Sequence, residues 1–253
     1  MRLHVRVSMG HAVAALLLGG ASCAIDQGSG PRQGVGPLID REFAASAAPV
    51  DAAPREGIAA VLLVDVSGSM DEEIERGDGR KIAIARRAAL DLVMQFDTYA
   101  AAHPDEPVLI GLYEFSGSAA ASTREVIALG APDPAAAKSA LARLRPNGGT
   151  PIGAAMIAAT RTLDQSGLSR RHLLVVTDGE NTDGYAPDDV MAALGRRPDA
   201  ARPSVYFVAF DIAASRFDGV RNAGGLVLEA ADAKELNQTL DVLLNGKILV
   251  EGP

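Results

Sequence analysis

The stretch Ala59-Ala60-Val61-Leu62-Leu63-Val64-Asp65-Val66-Ser67-Gly68-Ser69 decides the fold. Its first six residues form a continuous apolar run, which is typical of a strand buried on both faces of a parallel sheet. A carboxylate and two hydroxyls follow at alternate positions, at the point where the strand ends. Because oxygen atoms are the donors that hard divalent cations prefer, the stretch predicts a buried strand that ends in half of a cation site.

Composition limits the classes of protein to which the chain can belong. With 253 residues, of which 48% are hydrophobic, the chain can bury a sizeable core, and we expect one domain plus a short appendage. Aromatic residues make up only 4%, so the core must consist mainly of Val, Leu, Ile and Ala. The formal charge of −8 and the lack of a basic patch argue against nucleic-acid binding, which needs clustered Lys and Arg.

Residues 1–23 have the features of a signal peptide. A basic start precedes the short apolar run Ala12 to Leu18, and small residues lead to Cys23. Cys23 resembles the processed cysteine of a bacterial lipoprotein, which predicts a lipid anchor as the only contact with a membrane. Gly20 departs from the bulky residue usual at that position, so ordinary secretion and an uncleaved segment remain alternatives. Because Cys23 is the only cysteine, no intramolecular disulfide can form.

This N-terminus predicts an exported protein of the cell envelope. A lipid-anchored form would sit in the outer membrane of a Gram-negative cell, because Ala24 stands where an inner-membrane retention signal would have aspartate. A form without the anchor would be periplasmic or secreted.

The remaining chain divides by composition into three parts. Residues 24–56 are rich in Ser, Gly, Pro, Gln and Ala without a sustained apolar period, which predicts a flexible linker or a disordered secreted terminus. Residues 57–245 alternate strand-like and helical patterns and form the predicted domain. Residues 246–253 form a C-terminal tail, in which Lys247 to Val250 predicts a short extra strand or a segment that pairs with a partner's sheet edge.

The domain is predicted to be an α/β fold with a doubly wound, mostly parallel six-stranded sheet and helices on both faces. Only a short connection, Ser116 to Ser122, precedes the third strand. A link of that length permits a hairpin but no parallel crossover, so the third strand is expected to be an antiparallel edge strand. The predicted strands are Ala59 to Val64, Val108 to Phe115, Arg124 to Leu129, His172 to Thr177, Ser204 to Phe210 and Leu226 to Glu229.

Three helices follow from apolar residues spaced three and four apart. The first covers residues 82–96 and the second begins at Pro151, with Thr150 as the expected N-cap. The third covers residues 232–244, where Asp232 and Glu235 form a capping-box pattern. In a sheet of this kind ligands bind beyond the carboxyl ends of the strands where the winding reverses, so the Asp65 segment and Thr177-Asp178-Gly179 are expected at one edge.

These residues resemble the metal-ion-dependent adhesion site of von Willebrand factor type A (VWA) domains. The family pattern is Asp-x-Ser-x-Ser after the first strand, a Thr in a later loop and an Asp after the fourth strand. The resemblance covers about residues 57–245 and implies a Rossmann-like fold. The matching residues here are Asp65, Ser67, Ser69, Thr150 and Asp178.

The resemblance implies how such a site would bind. The expected cation is Mg²⁺, with Mn²⁺ and Ca²⁺ as alternatives. Hydroxyls of Ser67, Ser69 and Thr150 would coordinate it directly, and Asp65 and Asp178 would act through water. The ion would keep enough positive charge to attract an acidic side chain of a protein partner. Helix capping is the alternative for Ser67 and Ser69, and also for Thr150.

The acidic residues near the motif and the histidines give weaker indications of function. The nearby acidic residues could tune the cation, select a basic partner or bind a second cation, but such runs are more often solvated surface. The histidines, His4, His11, His103 and His172, are too scattered for a transition-metal cluster, and His172 is expected to be structural. The acidic residues in question are Asp71, Glu72, Glu73, Glu75, Glu180 and Asp183.

The predicted function is a metal-dependent binding module of the bacterial cell envelope, with no catalytic residues and no enzymatic activity. No Gly-x-Ser-x-Gly elbow surrounds the serines, no phosphate-binding loop is present, and Ser67 stands where an aspartyl phosphatase has a second Asp. The alternative is a structural or assembly subunit of an envelope complex whose metal site is not used for docking, and a hydrolase is the third class. The partner's identity and the oligomeric state do not follow from the sequence.

Overall fold

The structure, a computed structural model, describes residues 34–44 and 54–250, with the exception of residues 76, 78 and 118–121. The predicted signal peptide with Cys23, the larger part of the predicted linker and the last three residues of the predicted tail therefore lie outside the described residues.

One six-stranded sheet forms the centre of the domain. The strands are β1 (Arg55–Asp65), β2 (Val108–Phe115), β3 (Thr123–Gly130), β4 (Leu168–Thr177), β5 (Ser204–Phe210) and β6 (Leu226–Ala230). Their order in the sheet is β3-β2-β1-β4-β5-β6, and all neighbours are parallel except β2 and β3. The fold predicted from the apolar pattern is thus confirmed.

Helices cover both faces of the sheet. They are α1 (Gly36–Ala44), α2 (Lys81–Ala102), α3 (Pro134–Leu141), α4 (Ile152–Gln165), α5 (Pro187–Gly195), α6 (Asp218–Asn222) and α7 (Ala233–Leu243). Alternate residues of each strand point to opposite sides of the sheet, so each side has its own buried cluster. Ala60, Leu62 and Val64 of β1 belong to the first cluster, which α2, α3 and α7 complete. Val61 and Leu63 belong to the second cluster, which α1, α4, α5 and α6 complete.

The third strand lies at a sheet edge and runs antiparallel to β2, as its short connection predicted. All residues of β3 are exposed or half-buried, whereas β1 is buried from Gly57 to its last residue. This contrast reflects the position of each strand, since an edge strand packs against fewer neighbours than a central one.

Helix α1 departs from the expectation of a linker over residues 24–56. Ile39 and Phe43 of this helix are buried against the second cluster, and the Arg197 guanidinium lies 5.2 Å from the centre of the Phe43 ring. Arg161 Nε donates to the Glu42 carbonyl at 2.8 Å. The two apolar residues are four apart, which places them on one helical face, but two residues are too few for a sequence period to stand out.

Helix ends confirm one capping prediction and correct another. Asp232 caps α7, since its Oδ1 accepts a hydrogen bond from the Glu235 amide at 2.8 Å. Thr150 was expected to cap the helix after it, but α4 begins at Ile152 with Pro151 in the N-cap position and no side-chain cap. Thr150 O instead accepts a hydrogen bond from the Thr182 amide at 3.0 Å, so it belongs to a loop contact.

The segment after α7 is helical rather than extended, which corrects the prediction of a strand or pairing tail at residues 247–250. A π-helical turn covers Leu244–Ile248, and both of its end residues are buried in the first cluster. Their spacing of four residues fits a helical turn, and burial of the two side chains favours it. Along the part of the chain that the structure describes, none of the helices is long and apolar enough to span a bilayer.

Candidate metal centre

The predicted site residues come together at the carboxyl edge of the sheet, beside its two central strands. Asp65 is the last residue of β1 and Asp178 follows the last residue of β4. These strands are parallel neighbours, with Val64 opposite Val176. Chain connections run to opposite sides of the sheet from β1 and β4, and such a reversal leaves a crevice in which α/β proteins bind ligands.

Asp65 is fully buried and both of its carboxylate oxygens accept hydrogen bonds. The Ser67 amide donates to Oδ1 at 2.7 Å, and the Thr177 hydroxyl donates to Oδ2 at 2.5 Å. Burial raises the pKa of Asp65 to about 7, because removal from water penalises the charged form more than these hydrogen bonds stabilise it. A positive ion nearby would favour the charged form.

Three side-chain oxygens line up next to this carboxylate. Ser67 Oγ lies 3.1 Å from Ser69 Oγ, which donates to Asp178 Oδ1 at 2.8 Å. In an octahedral shell with metal-oxygen bonds of about 2.05 Å, adjacent ligands are about 2.9 Å apart. The two distances are those of hydrogen bonds, and the Ser67 and Ser69 hydroxyls are also close enough to serve as adjacent ligands of one Mg²⁺ ion, with the Asp178 carboxylate beside them.

The serines show no helix-capping contact. Ser67 occupies the N-cap position of a short 3₁₀ helix, Gly68–Asp71, but its side chain makes no capping hydrogen bond. Its hydroxyl instead faces Ser69. Ser67 is buried, Ser69 is half-buried and Gly68 is exposed, so this part of the site opens to solvent.

Thr150 approaches the same place from the loop before α4. Thr150 is buried, and an ideal Cβ built on Gly179 would lie 3.5 Å from Thr150 Oγ1 and 4.0 Å from Ser69 Oγ. The two hydroxyls thus border one small space. Thr182 fixes this arrangement, because its Oγ1 accepts a hydrogen bond from the Thr150 amide at 2.7 Å. Sequence reasoning did not identify Thr182, whose role depends on a contact between distant loops.

Backbone contacts hold the loop of Thr150 against the first motif. The Gly68 amide donates to the Gly148 carbonyl at 3.0 Å, and the Asn147 amide donates to the Val66 carbonyl at 2.8 Å. Gly148 has a φ of 72°, and a Cβ there would lie 2.7 Å from Gly117 Cα. Glycine is required at this position, because any side chain would clash with the neighbouring loop.

A buried cation of the protein itself adjoins the site and was not predicted from the sequence. Lys81 Nζ lies 3.0 Å from Asp178 Oδ2 and 3.1 Å from Asp211 Oδ2. Burial alone would lower the pKa of Lys81, but the hydrogen bonds and charges of the two aspartates outweigh it and raise the pKa. A lone Lys at the start of an amphipathic helix gives no sequence signal for such a position.

The six acidic residues discussed above are all exposed. Asp71 pairs with Arg80 at 2.6 Å, and Glu180 pairs with Arg216 at 2.9 Å. Among the described residues, no group of three or more His, Cys, Asp or Glu side chains is arranged to hold a metal ion. The candidate centre therefore depends on hydroxyl oxygens as much as on carboxylates. The site has only oxygen donors at suitable spacing, so its residues fit Mg²⁺.

Known proteins share this fold. Residues 60–180 match the family model of the von Willebrand factor type A domain. No curated protein matches the chain in sequence. The chain resembles the von Willebrand factor type A structure from Catenulispora acidiphila with 23% identity and a TM-score of 0.55, over 73% of this chain and 41% of that one.

Two further structures are similar in fold. The PilB minor pilin from Streptococcus sanguinis gives 14% identity and a TM-score of 0.59, over 81% of this chain and 65% of that one. The pilus adhesin SpaC from Lactobacillus rhamnosus GG gives 15% identity and a TM-score of 0.59, over 77% of this chain and 31% of that one. The chain thus spans less than two thirds of each of these three structures. Residues 60–180 thus match the von Willebrand factor type A family model, and the domain shares its fold with these solved structures.

Proposed function

We propose that the chain is a metal-dependent protein-binding module of the bacterial cell envelope that docks an acidic side chain of a partner on a divalent cation. The expected cation is Mg²⁺, with Mn²⁺ and Ca²⁺ as alternatives. The observation that carries this proposal is the row of oxygens from Ser67 through Ser69 to Asp178, at 3.1 Å and 2.8 Å, where the sheet reverses its winding.

Each side chain has a role in this proposal. The hydroxyls of Ser67, Ser69 and Thr150 hold the ion, and Asp65 and Asp178 supply negative charge beside it. A bound cation with mostly neutral direct ligands keeps enough positive charge to attract a carboxylate. The partner would approach past Ser69, because this is the serine that reaches the surface.

The position of Asp65 supports binding rather than catalysis. An aspartyl nucleophile must reach its substrate, whereas Asp65 is fully buried and both of its oxygens accept hydrogen bonds. We therefore propose that the protein is not an enzyme. A phosphomonoester or ester that is hydrolysed by the wild type and not by Asp65→Asn would contradict this.

We also propose export to the cell envelope, with lipid attachment at Cys23. The signal-peptide pattern of residues 1–23 supports this, and two proteins with a similar fold are named as a minor pilin and a pilus adhesin. Mass spectrometry of the mature N-terminus tests the anchor. A lipidated Cys23 supports it, and an unmodified N-terminus at another residue overturns it.

The first experiment measures cation binding by isothermal titration calorimetry. We expect the wild type to bind Mg²⁺, and we expect Asp65→Asn and Ser69→Ala to lose at least 90% of the affinity. Asp105→Ala is the matched control, because Asp105 is an exposed aspartate in the loop before β2, at the opposite edge of the sheet. Equal affinity in all four proteins contradicts the proposed centre, provided that circular dichroism shows each to be folded.

The second experiment tests docking through a carboxylate. Immobilised protein is exposed to envelope extract with Mg²⁺, with a chelator, or with Mg²⁺ after the carboxylates of the extract have been converted to amides. We expect a set of partners that appears only in the first sample and is missing with Asp65→Asn. An identical set in every sample would favour the alternative, a structural or assembly subunit that binds through another face.

A further inference from the structure

Lys81 is an unusual lysine, because its side chain is only 8% exposed. Lysine is seldom buried unless it is paired. It is the first residue of α2, and its ammonium group points to three carboxylates on different parts of the chain. Asp178 Oδ2 lies at 3.0 Å, Asp211 Oδ2 at 3.1 Å and the exposed Glu72 Oε2 at 3.7 Å.

The backbone at Asp211 is held in a rare conformation that keeps its carboxylate in this group. Asp211 follows the last residue of β5 and has a φ of 56°, in the left-handed region that residues other than glycine seldom adopt. Its amide donates to the Ala230 carbonyl at 2.8 Å, which ties it to the end of β6. The side chains of Asp178 and Asp211 are 0% and 6% exposed, so two nearly buried carboxylates share one ammonium group.

Asp178 is the link between this ammonium group and the candidate metal centre. Its Oδ1 accepts from Ser69, on the side of the metal centre, and its Oδ2 accepts from Lys81. A carboxylate that uses both oxygens in this way is the usual bridge between two ions in a two-metal site, where the ions are about 3.5 to 4 Å apart. Here the second oxygen contacts an ammonium group of the protein, with Lys81 Nζ 3.0 Å from Asp178 Oδ2.

We propose that Lys81 is a specificity-determining residue of the candidate metal centre, because its ammonium group fills the position between Asp178 and Asp211 that a second cation would otherwise occupy. The centre then takes a single divalent ion. This inference rests on the cation binding in the proposed function. It goes beyond it by assigning the number of ions and the residue that limits it.

The test counts the ions bound per chain by equilibrium dialysis against Mn²⁺, followed by elemental analysis. We expect one ion in the wild type and two in Lys81→Ala, which removes the ammonium group and leaves room for a cation. Lys81→Arg keeps the positive charge and is expected to bind one ion. The double variant Lys81→Ala with Asp211→Asn loses a carboxylate of the new position and is also expected to bind one.

The outcomes separate this inference from the proposed function. A wild type that binds no ion contradicts the proposed function itself. One ion in both the wild type and a folded Lys81→Ala contradicts only the role of Lys81. If Lys81→Ala fails to fold, Lys81→Ser, a small polar replacement that also removes the ammonium group, is counted in the same way. Two ions in Lys81→Ser support the inference, and one ion overturns it.

Discussion

Thr177 donates its hydroxyl hydrogen to Asp65 Oδ2 at 2.5 Å and so joins the ends of the two central strands. Thr177 Oγ1 also accepts a hydrogen bond from the Gly179 amide at 3.2 Å, which shapes the turn that carries Asp178. One hydroxyl therefore positions both aspartates of the candidate metal centre. Because Thr177 is fully buried, solvent water does not reach the position of its hydroxyl.

Replacing this hydroxyl should weaken both stability and cation binding. Thr177→Val keeps the shape of the side chain but leaves a buried carboxylate oxygen and an amide without their partner, and a lost hydrogen bond of this kind costs about 2 kcal/mol. Urea unfolding measures the loss, and calorimetry should show weaker Mg²⁺ binding. Thr177→Ser keeps the hydroxyl and should retain the affinity for Mg²⁺. Equal affinities in the Val and Ser variants would show that the hydroxyl does not position the site.

The central part of the fold could be predicted from the sequence because buried parallel strands leave a strong pattern. Val108 to Phe115 and Ser204 to Phe210 are strands with the predicted bounds, since each is a predominantly apolar run. Helices α3, α5 and α6 were not predicted. They have only eight, nine and five residues, too few for a helical period to stand out against the surrounding loops.

The site was predictable only in part. Its polar residues follow buried strands in a spacing that the sequence shows, and their meeting at one edge follows from parallel strand order. No sequence pattern identified Lys81, Thr182 or Asp211 as part of the site, because their importance comes from contacts between segments far apart in the chain. The burial that raises the pKa of Asp65 is likewise a property of the folded state, not of any local pattern.

Gly153, in the first turn of α4, should not tolerate a side chain. A Cβ at this position would lie 2.1 Å from the Tyr185 carbonyl oxygen, so the helix and the loop before α5 would have to move apart. We expect Gly153→Ala to lower the free energy of unfolding by about 3 kcal/mol. Gly195→Ala is the matched control, since nothing lies within 4 Å of its Cβ position, and it should change stability by less than about 0.5 kcal/mol. Similar unfolding curves for the two variants would contradict this packing.

Docking of α1 should depend on Ile39 and not on its neighbour. Ile39 is fully buried, whereas Leu38 is 48% exposed. We expect Ile39→Ala to cost about 3 kcal/mol of the docking free energy, because it leaves a cavity under the helix. Trypsin should then cleave the native domain faster after Arg41. Leu38→Ala should be cleaved at the wild-type rate, and equally fast cleavage of both variants would mean that burial of Ile39 does not hold α1 in place.

His172 should make the domain sensitive to acid. It is fully buried in β4, and burial, with a smaller effect of the nearby Arg170 charge, lowers its pKa to about 3. The unfolded chain binds a proton at this residue near pH 6.5, while the folded chain resists it until about pH 3. The contribution of His172 to stability therefore falls as the pH decreases from about 6.5 to about 3. At pH 4.5 the loss should be about 2.5 kcal/mol relative to pH 7.

Comparison of variants isolates this effect from that of other groups. Asp65 acts in the opposite direction, because its pKa is raised to about 7 and the folded state gains a proton there, but its contribution is the same in every variant. We expect His172→Leu to become more stable relative to the wild type as the pH decreases below 6.5. The exposed His103 provides the control, and His103→Gln should follow the wild-type curve. Parallel curves of unfolding free energy against pH for His172→Leu and the wild type would show that His172 is protonated as easily in the folded chain as in the unfolded one.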